Sequence, residues 1–234
     1  MTLVTHDLVT IIRRLDPSLV ARIKSPNGLL VGGGFIRDCI TGDQPHDIDV
    51  FASSKDKAAE QAASLAAEKQ CKKIETPNAF TVCCRPLSVQ FIHKWTFTSA
   101  LECIQSFDFT IAQAAIWWDR GWLSVCADNF YSDLAAKRLV YTRPVRDEAP
   151  GGSLLRVLKL YQRGYRIPLS SMAAVVSQLI GKIDAGKKER FMADSQWREQ
   201  LLTGLLYDVD PSTDPRHYME EEPNAQEVTQ QVVA

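Results

Sequence analysis

Two aspartates separated by one residue, Asp47 and Asp49, lie in the segment His46-Asp47-Ile48-Asp49-Val50-Phe51. Because side chains alternate between the two faces of a β-strand, both carboxylates would share one face while Ile48 and Val50 point into the core. Neighbouring carboxylates repel each other unless a cation neutralises them, and Mg²⁺ prefers oxygen ligands from one or two carboxylates together with substrate phosphates. The pattern predicts a magnesium site with Asp47 and Asp49 as metal ligands and catalytic residues, although a solvated strand edge has the same spacing.

A glycine turn precedes this pair in the sequence. The apolar run Leu29-Leu30-Val31 stops at Gly32-Gly33-Gly34, which predicts a buried strand ending in a turn that needs positive φ or close approach to a ligand. The amphipathic residues that follow, including Arg37 and Asp38, predict a short helix. A helix N-terminus offers unpaired N–H groups and a positive dipole end, which suit phosphate. The turn and the two carboxylates together predict a metal-dependent nucleotide site.

The same residues resemble the first motif of a known family. Gly33-Gly34-x-Ile36-Arg37-Asp38, Gly42 and Asp47-x-Asp49 are similar to that motif in the polymerase-β-type nucleotidyltransferases, specifically in the head domain shared by bacterial poly(A) polymerases and class II CCA-adding tRNA nucleotidyltransferases. Gly32 is then an extra glycine ahead of the pair. The resemblance implies transfer of a nucleoside monophosphate from a nucleoside triphosphate to a hydroxyl, with release of pyrophosphate.

The resemblance also assigns roles within this first motif. Asp47 and Asp49 would hold two Mg²⁺ ions about 3.5–4 Å apart, one activating the attacking hydroxyl and one neutralising the leaving pyrophosphate. The glycine turn would hold the β- and γ-phosphates. Arg37 would either offset their charge or pair with Asp38 to fix the turn.

A second motif, Phe107-Asp108-Phe109-Thr110-Ile111-Ala112, resembles the family's Arg-Arg-Asp-Phe-Thr-Ile-Asn-Ala motif, which grips the ribose and triphosphate. The match implies that Asp108 and Thr110 bind nucleotide. Ser106 and Phe107 replace the two arginines and Ala112 replaces the asparagine, which puts the family's triphosphate and sugar contacts in doubt. If the family resemblance is set aside, the segment is typical of a strand that begins at Phe109, with Asp108 in the preceding turn.

The remaining family positions show further departures. Family sites often carry a third carboxylate on a neighbouring strand, but Val89-Gln90-Phe91 has no acid, so we expect a two-carboxylate metal site with Asp108 as the nearest supplementary candidate. The run 154–160 resembles the first neck helix, on which Arg156 and Lys159 would meet phosphates or be solvated charges. The family's base-reading acids fall near Gly152-Ser153 here, which predicts weak discrimination between ATP and CTP.

The pattern of apolar residues predicts the elements that position these residues. We expect an opening helix with a short second turn after the break at Pro17, a helix from Lys55 to about Gln70 capped by Ser53 or Ser54, adjacent antiparallel strands over 80–84 and 87–92, a hairpin over 114–118 and 122–126, and helices over 154–164 and 170–206. The family resemblance implies a further short strand at 139–140. The expected fold class is α/β (α+β), a mixed-sheet nucleotidyltransferase head over 1–145 with a small helical neck over 146–207. The polar stretch 208–234 is expected to be a disordered acidic tail.

Composition limits the partners. The chain is 45% hydrophobic with a formal net charge of -1, which argues against a strongly basic nucleic-acid coat but allows a local basic patch. Six cysteines without a C-x-x-C pair favour reduced thiols. No apolar run approaches the roughly twenty residues that span a bilayer, and no signal pattern opens the chain. We therefore expect a cytoplasmic protein with no membrane partner.

The acceptor of the expected transfer stays open. The family resemblance favours an RNA or tRNA 3′ end, with a nucleoside triphosphate as the other substrate. The slightly acidic net charge favours a protein side chain or a small molecule, because neither needs a basic track. A nucleotide-binding module without turnover is a further alternative that the missing family arginines allow.

Overall fold

The computed structural model describes residues 1–26, 28–144 and 151–207. The chain divides into two compact units, Met1–Ala136 and a second unit that begins at Lys137. The expected tail, 208–234, and the expected head-to-neck boundary at 145–146 lie outside the described residues. Across the described ranges, no helix is both long and apolar enough to cross a membrane.

A seven-stranded mixed sheet forms the centre of the first unit. The strands are β1 (Leu30–Gly32), β2 (Asp47–Phe51), β3 (Lys73–Glu75), β4 (Ala79–Val82), β5 (Ser88–Ile92), β6 (Ala114–Trp118) and β7 (Trp122–Cys126). They lie in the order β3-β4-β5-β2-β1-β6-β7, in which β2 pairs with β5 in parallel and all other neighbours are antiparallel. This confirms the predicted α/β class, the antiparallel pairing of β4 with β5 and the hairpin of β6 with β7.

Six α-helices and one 3₁₀ turn flank this sheet in the described part of the first unit. The break expected at Pro17 is present, but the short second turn expected after it is a full helix. Proline is well suited to the first helical position, and Asp16 accepts a hydrogen bond from the Ser18 N–H at 2.8 Å. The predicted Ser54 cap is confirmed by its bond from the Lys57 N–H at 3.2 Å. The helices are α1 (Thr5–Arg14), α2 (Pro17–Lys24), α3 (Gly34–Thr41), α4 (Lys55–Lys69), α5 (Ala100–Gln105) and α6 (Phe130–Ala135), with the 3₁₀ turn at Thr110–Ala112.

The core lies on both sides of the central strands. Val31 of β1 and Val50 of β2 are fully buried, and they face each other across the antiparallel pair. Burying a side chain of this size is worth roughly 1.5–3 kcal/mol, so fully buried side chains hold together the two strands that carry the glycine turn and the aspartates.

The second unit is helical in the part that the structure describes. Its helices are α7 (Gly152–Gln162), α8 (Leu169–Gly181), α9 (Ala185–Ala193) and α10 (Ser195–Tyr207). The helix expected over 154–164 is present as α7, and Gly164 follows it with a φ of 87°. The strand expected at 139–140 is wrong, because the segment makes an isolated bridge between Arg138 and Arg166. The Leu139 N–H donates to the Arg166 carbonyl and the Arg166 N–H donates to the Lys137 carbonyl, each at 2.8 Å.

Candidate active site

Asp47 and Asp49 lie on the same face of β2, and both are half-buried. The alternate residues Ile48 and Val50 are buried, with 3% and 0% exposure, so the alternation expected for this strand is present. The register places Asp49 opposite Gly32, the last residue of β1. The aspartate pair therefore lies beside the glycine turn, at the end of β1 where α3 begins.

Gly33 joins β1 to α3 and brings the turn close to Asp49. Its φ of 79° and ψ of -140° fall near a region that residues with a side chain rarely adopt. A Cβ at this position would lie 3.6 Å from Oδ2 of Asp49. The Gly33 N–H itself donates to the Ala114 carbonyl at 3.1 Å, so it anchors the turn to β6. The amides that α3 leaves without a helical acceptor are those of its own first turn.

Gly32 has a packing reason to be glycine. A Cβ there would lie 3.2 Å from the Phe107 ring and 3.3 Å from the Ala114 carbonyl oxygen. Phe107 is 8% exposed and makes an edge contact with Phe51, with 5.7 Å between ring centroids. The Phe107 ring therefore packs against the glycine turn, at a position where the family that this sequence resembles has an arginine. The nucleotide-binding role of Gly32 stays a prediction.

Arg37 and Asp38 form an ion pair on the first turns of α3. Arg37 Nε donates to Asp38 Oδ1 at 2.8 Å, and their side chains are 9% and 4% exposed. The guanidinium lies against the start of the helix, because a Cβ on Gly34 would be 3.3 Å from Arg37 Nη2. Of the two roles expected for Arg37, pairing with Asp38 to fix the turn is the one that the contacts show.

Gln90 contacts the aspartate pair, which its place in the sequence did not predict. Its side-chain amide on β5 donates to Asp47 Oδ2 at 2.8 Å, and the parallel register places Gln90 opposite Asp49. A neutral donor thus occupies the strand position that holds a third acid in many members of the family that this sequence resembles. Since β2 and β5 are far apart in sequence, only their parallel pairing reveals this contact.

Asp108 and Thr110 are both buried, with 2% and 7% exposure. The Thr110 hydroxyl donates to Oδ2 of Asp133, which is fully buried, at 2.6 Å. Segment 110–112 is a 3₁₀ turn and β6 begins at Ala114, so the strand opening expected at Phe109 is wrong. The Thr110 hydroxyl already holds α6 to this turn, and nucleotide binding by Asp108 and Thr110 stays a prediction.

Arg156 and Lys159 lie in the second unit, on α7. Both side chains are half-buried, and their spacing of three residues places them on one face of the helix. Gly152 and Ser153, at the positions where the family has base-reading acids, are buried at the start of the same helix. Their roles toward a nucleotide stay predictions.

The ligands available at the candidate site favour a hard cation. Within the described ranges, no group of three or more His, Cys, Asp or Glu residues is arranged to hold a metal, so Asp47 and Asp49 are a two-carboxylate pair. Carboxylate oxygens suit Mg²⁺, which keeps several of its waters and takes the rest of its ligands from substrate phosphates, and they suit Zn²⁺ less well. The two residues therefore fit a magnesium ion that is completed by a bound triphosphate.

The mixed sheet, the glycine turn and the paired aspartates define a nucleotidyltransferase-like fold. The Thermotoga maritima CCA-adding enzyme complexed with tRNA is similar, with a TM-score of 0.54 and 15% identity over 96% of this chain and 72% of that one. A CCA-adding enzyme complexed with CTP has a TM-score of 0.53 and 18% identity over 89% of this chain and 53% of that one. A CCA-adding enzyme complexed with ATP has a TM-score of 0.53 and 16% identity over 96% of this chain and 72% of that one.

The family model that matches this chain is not one of CCA-adding enzymes. The model of the Gabija anti-defense 2 family matches residues 9–137, which is more than half of the chain and nearly coincides with the first unit, Met1–Ala136. The chain therefore belongs to the Gabija anti-defense 2 family. No curated protein matches its sequence. The resemblance to CCA-adding enzymes thus holds at the level of the fold, and this chain spans about half (53%) of the enzyme complexed with CTP.

Proposed function

We propose that this protein is a Mg²⁺-dependent nucleotidyltransferase that moves a nucleoside monophosphate from a nucleoside triphosphate to a hydroxyl and releases pyrophosphate. The observation that carries the proposal is the position of Asp49 against the glycine turn, 3.6 Å from where a Gly33 Cβ would be. This position sets the two carboxylates beside a helix N-terminus suited to phosphate, and metal-dependent nucleotidyl transfer would use both.

Each residue of the site has a defined part in this proposal. Asp47 and Asp49 would hold Mg²⁺, which supplies charge neutralisation for the pyrophosphate and lowers the pKa of the attacking hydroxyl when bound. The first-turn amides of α3 would donate hydrogen bonds to the triphosphate oxygens. The buried pair of Arg37 and Asp38, 2.8 Å apart, fixes the start of α3 so that these amides are already oriented before a nucleotide binds.

Two acceptors have support from different observations. An RNA 3′ end, including that of tRNA, is supported by structures of the same fold that contain tRNA, CTP and ATP. A protein side chain is supported by the family name, which describes its members as acting against a defence called Gabija, and by the net charge of -1. Transfer onto a protein of that defence would need no basic track for a polynucleotide.

The test is a transfer assay with each of the four nucleoside triphosphates labelled at the α-phosphate, in the presence of Mg²⁺. Acceptors are a tRNA, an unstructured RNA and the purified Gabija proteins, analysed separately. We expect label on one of them, and we expect Asp47→Asn and Asp49→Asn each to lower the rate by a factor on the order of a hundred or more.

The control is Asp56→Asn, which removes an exposed carboxylate from the first turn of α4 and should transfer at the wild-type rate. The thermal unfolding of each variant establishes that its fold is intact. Wild-type turnover in Asp47→Asn or Asp49→Asn would exclude the assigned site. Binding of a triphosphate without any transfer would identify a nucleotide-binding module instead.

A further inference from the structure

Two cysteines lie at one edge of the sheet, where β3 begins and β4 ends. β3 pairs with β4 in antiparallel fashion, with Lys73 opposite Val82. The Cys83 N–H donates to the Lys72 carbonyl at 2.9 Å, which extends this pairing by one residue beyond the strands. Cys71 and Cys84 flank this bonded pair, at a point where the Cys84 N–H turns back to the Val82 carbonyl at 2.9 Å.

The register also sets how closely these two residues approach. The bond between Cys83 and Lys72 marks that pair as a hydrogen-bonded one, and hydrogen-bonded pairs alternate with closer, non-hydrogen-bonded pairs in an antiparallel ladder. Continued in the same way, the ladder would place Cys71 and Cys84 at a non-hydrogen-bonded position, where Cα atoms are about 4.5 Å apart. A disulfide joins Cα atoms that are roughly 4.4–6.8 Å apart, a range that includes this spacing.

The side chains are compatible with this arrangement. The six cysteines are free thiols in this structure, and Cys71 and Cys84 are both partly exposed. The Cys71 Sγ donates to the Lys69 carbonyl at 3.4 Å. Burial first, and then the neighbouring Cys71 thiol, raise the pKa of Cys84 to about 11. Because the thiolate is the nucleophile in exchange, we assign the first attack to Cys71 and the resolving step to Cys84.

We propose that Cys71 and Cys84 are a redox modification site, at which they form a reversible disulfide by exchange with a small-molecule disulfide. The Cys71 thiolate attacks one sulfur of the small disulfide, forming a mixed disulfide and releasing one small thiolate. Cys84 then gives its proton to solvent and attacks the Cys71 sulfur, forming the protein disulfide and releasing the second small thiolate. The two protein thiols lose two electrons in total, and the small disulfide gains them.

The expected bond ties the chain just after α4 to the chain just after β4. It closes a loop over residues 71–84, whose inner strands are already paired. Constraining such a loop stabilises a protein mainly by lowering the entropy of its unfolded state. Oxidation should therefore raise the unfolding temperature, and a reductant such as dithiothreitol should reverse the rise.

The experiment uses the full chain equilibrated with oxidised and reduced glutathione at a series of ratios. Thiols are quenched with acid and alkylated, and peptide mass spectrometry identifies each linkage. We expect a peptide linking Cys71 to Cys84, with the loss of two hydrogen atoms and of two of the six alkylatable thiols. Cys71→Ser and Cys84→Ser should each abolish the linked peptide and the rise in unfolding temperature.

The matched control is Cys83→Ser, because Cys83 is an exposed neighbour of Cys84 that the register places opposite Lys72. This variant should form the linked peptide at the same glutathione ratio as the wild type. A wild type in which Cys71 stops at the mixed disulfide with glutathione, or pairs with Cys83, would overturn the proposal. Retention of all six thiols at every ratio would also overturn it. None of these readouts depends on nucleotidyl transfer.

Discussion

The side-chain amide of Gln90 donates a hydrogen bond to Oδ2 of Asp47 over 2.8 Å. The donor comes from β5, which pairs in parallel with the strand that carries both aspartates. Because one oxygen of Asp47 is held by a neutral donor, the direction of its carboxylate is fixed without adding a third negative charge to the site. Hydrogen bonds of this kind orient metal ligands, and they commonly change metal affinity.

Replacing Gln90 with methionine tests this contact. Gln90→Met keeps the length of the side chain and removes the donor, so we expect Mg²⁺ to be bound about 10–100-fold more weakly. The concentration of Mg²⁺ or Mn²⁺ that half-saturates transfer, and direct titration with Mn²⁺, measure the change. Ser88→Ala is the control, since Ser88 is on the same strand and opposite Asp47 in the register. Equal metal affinity in Gln90→Met and wild type would exclude an orienting role.

Gly33→Ala should damage both stability and nucleotide binding. A non-glycine residue at a φ of 79° is strained, at a cost of roughly 1–3 kcal/mol. The strain would move the start of α3, where we expect the phosphates. Chemical denaturation and triphosphate binding measure the two effects. Gly121→Ala should be close to neutral in both, because a Cβ there meets no atom within 4 Å. Equal losses of stability and of triphosphate binding in Gly33→Ala and Gly121→Ala would show that neither depends specifically on the turn at Gly33.

Thr110→Val should destabilise the first unit. The substitution keeps the shape of the side chain and removes the hydroxyl that donates to the fully buried Asp133. Leaving a buried acceptor with one donor fewer costs about 1–3 kcal/mol. Urea denaturation gives the change in unfolding free energy. If Thr110→Val unfolds like the wild type but loses triphosphate affinity, the hydroxyl serves the nucleotide and not the fold.

The ion pair of Asp16 and Lys69, 2.9 Å apart, predicts a pH dependence of stability. Burial raises the pKa of Asp16, but the hydrogen bonds from Lys69 and Ser18 outweigh it, so the pKa is lowered from its ordinary 3.8. A lowered folded-state pKa contributes stability that is present above pH 3.8 and is lost as the pH falls through the folded-state value.

Asp16→Asn isolates the charge in this pair, because asparagine caps a helix about as well as aspartate. At pH 7 we expect it to lower the unfolding free energy by less than about 1 kcal/mol, since the pair is partly exposed and screened by solvent. The difference from wild type should shrink on acidification below pH 3.8. Urea denaturation at several pH values checks this, and a difference that grows at low pH would contradict it.

Base selection is expected to be weak. Gly152 and Ser153 occupy the start of α7, where the resembling family has acids that read the base. A good bidentate pair of hydrogen bonds to a base edge is worth roughly 1–3 kcal/mol of discrimination. Without such bonds, only stacking and the shape of the base distinguish ATP from CTP. The ratio of kcat/KM for ATP and CTP measures the selection. A preference greater than about a thousandfold, or about 4 kcal/mol, would mean that other residues read the base.

The sequence was informative where a local pattern decides the structure. Alternation over β2 predicted the shared face of Asp47 and Asp49, and glycine chemistry predicted the turn at Gly33. It was not informative where distant segments meet. The contact of Gln90 with Asp47 depends on a parallel pairing, and the ring of Phe107 over Gly32 depends on a segment more than 70 residues downstream, about which local periodicity carries no information.

The parallel pairing of β2 with β5 has a consequence for how the protein folds. Asp47 and Gln90 are 43 residues apart, whereas Gly33 and Asp49 are joined by the short excursion through α3. Closing a longer loop costs more chain entropy before any contact repays it, which slows the formation of non-local pairs. We therefore expect the glycine turn to meet Asp49 early in folding, and Asp47 to acquire its fixed direction only later, when β5 docks.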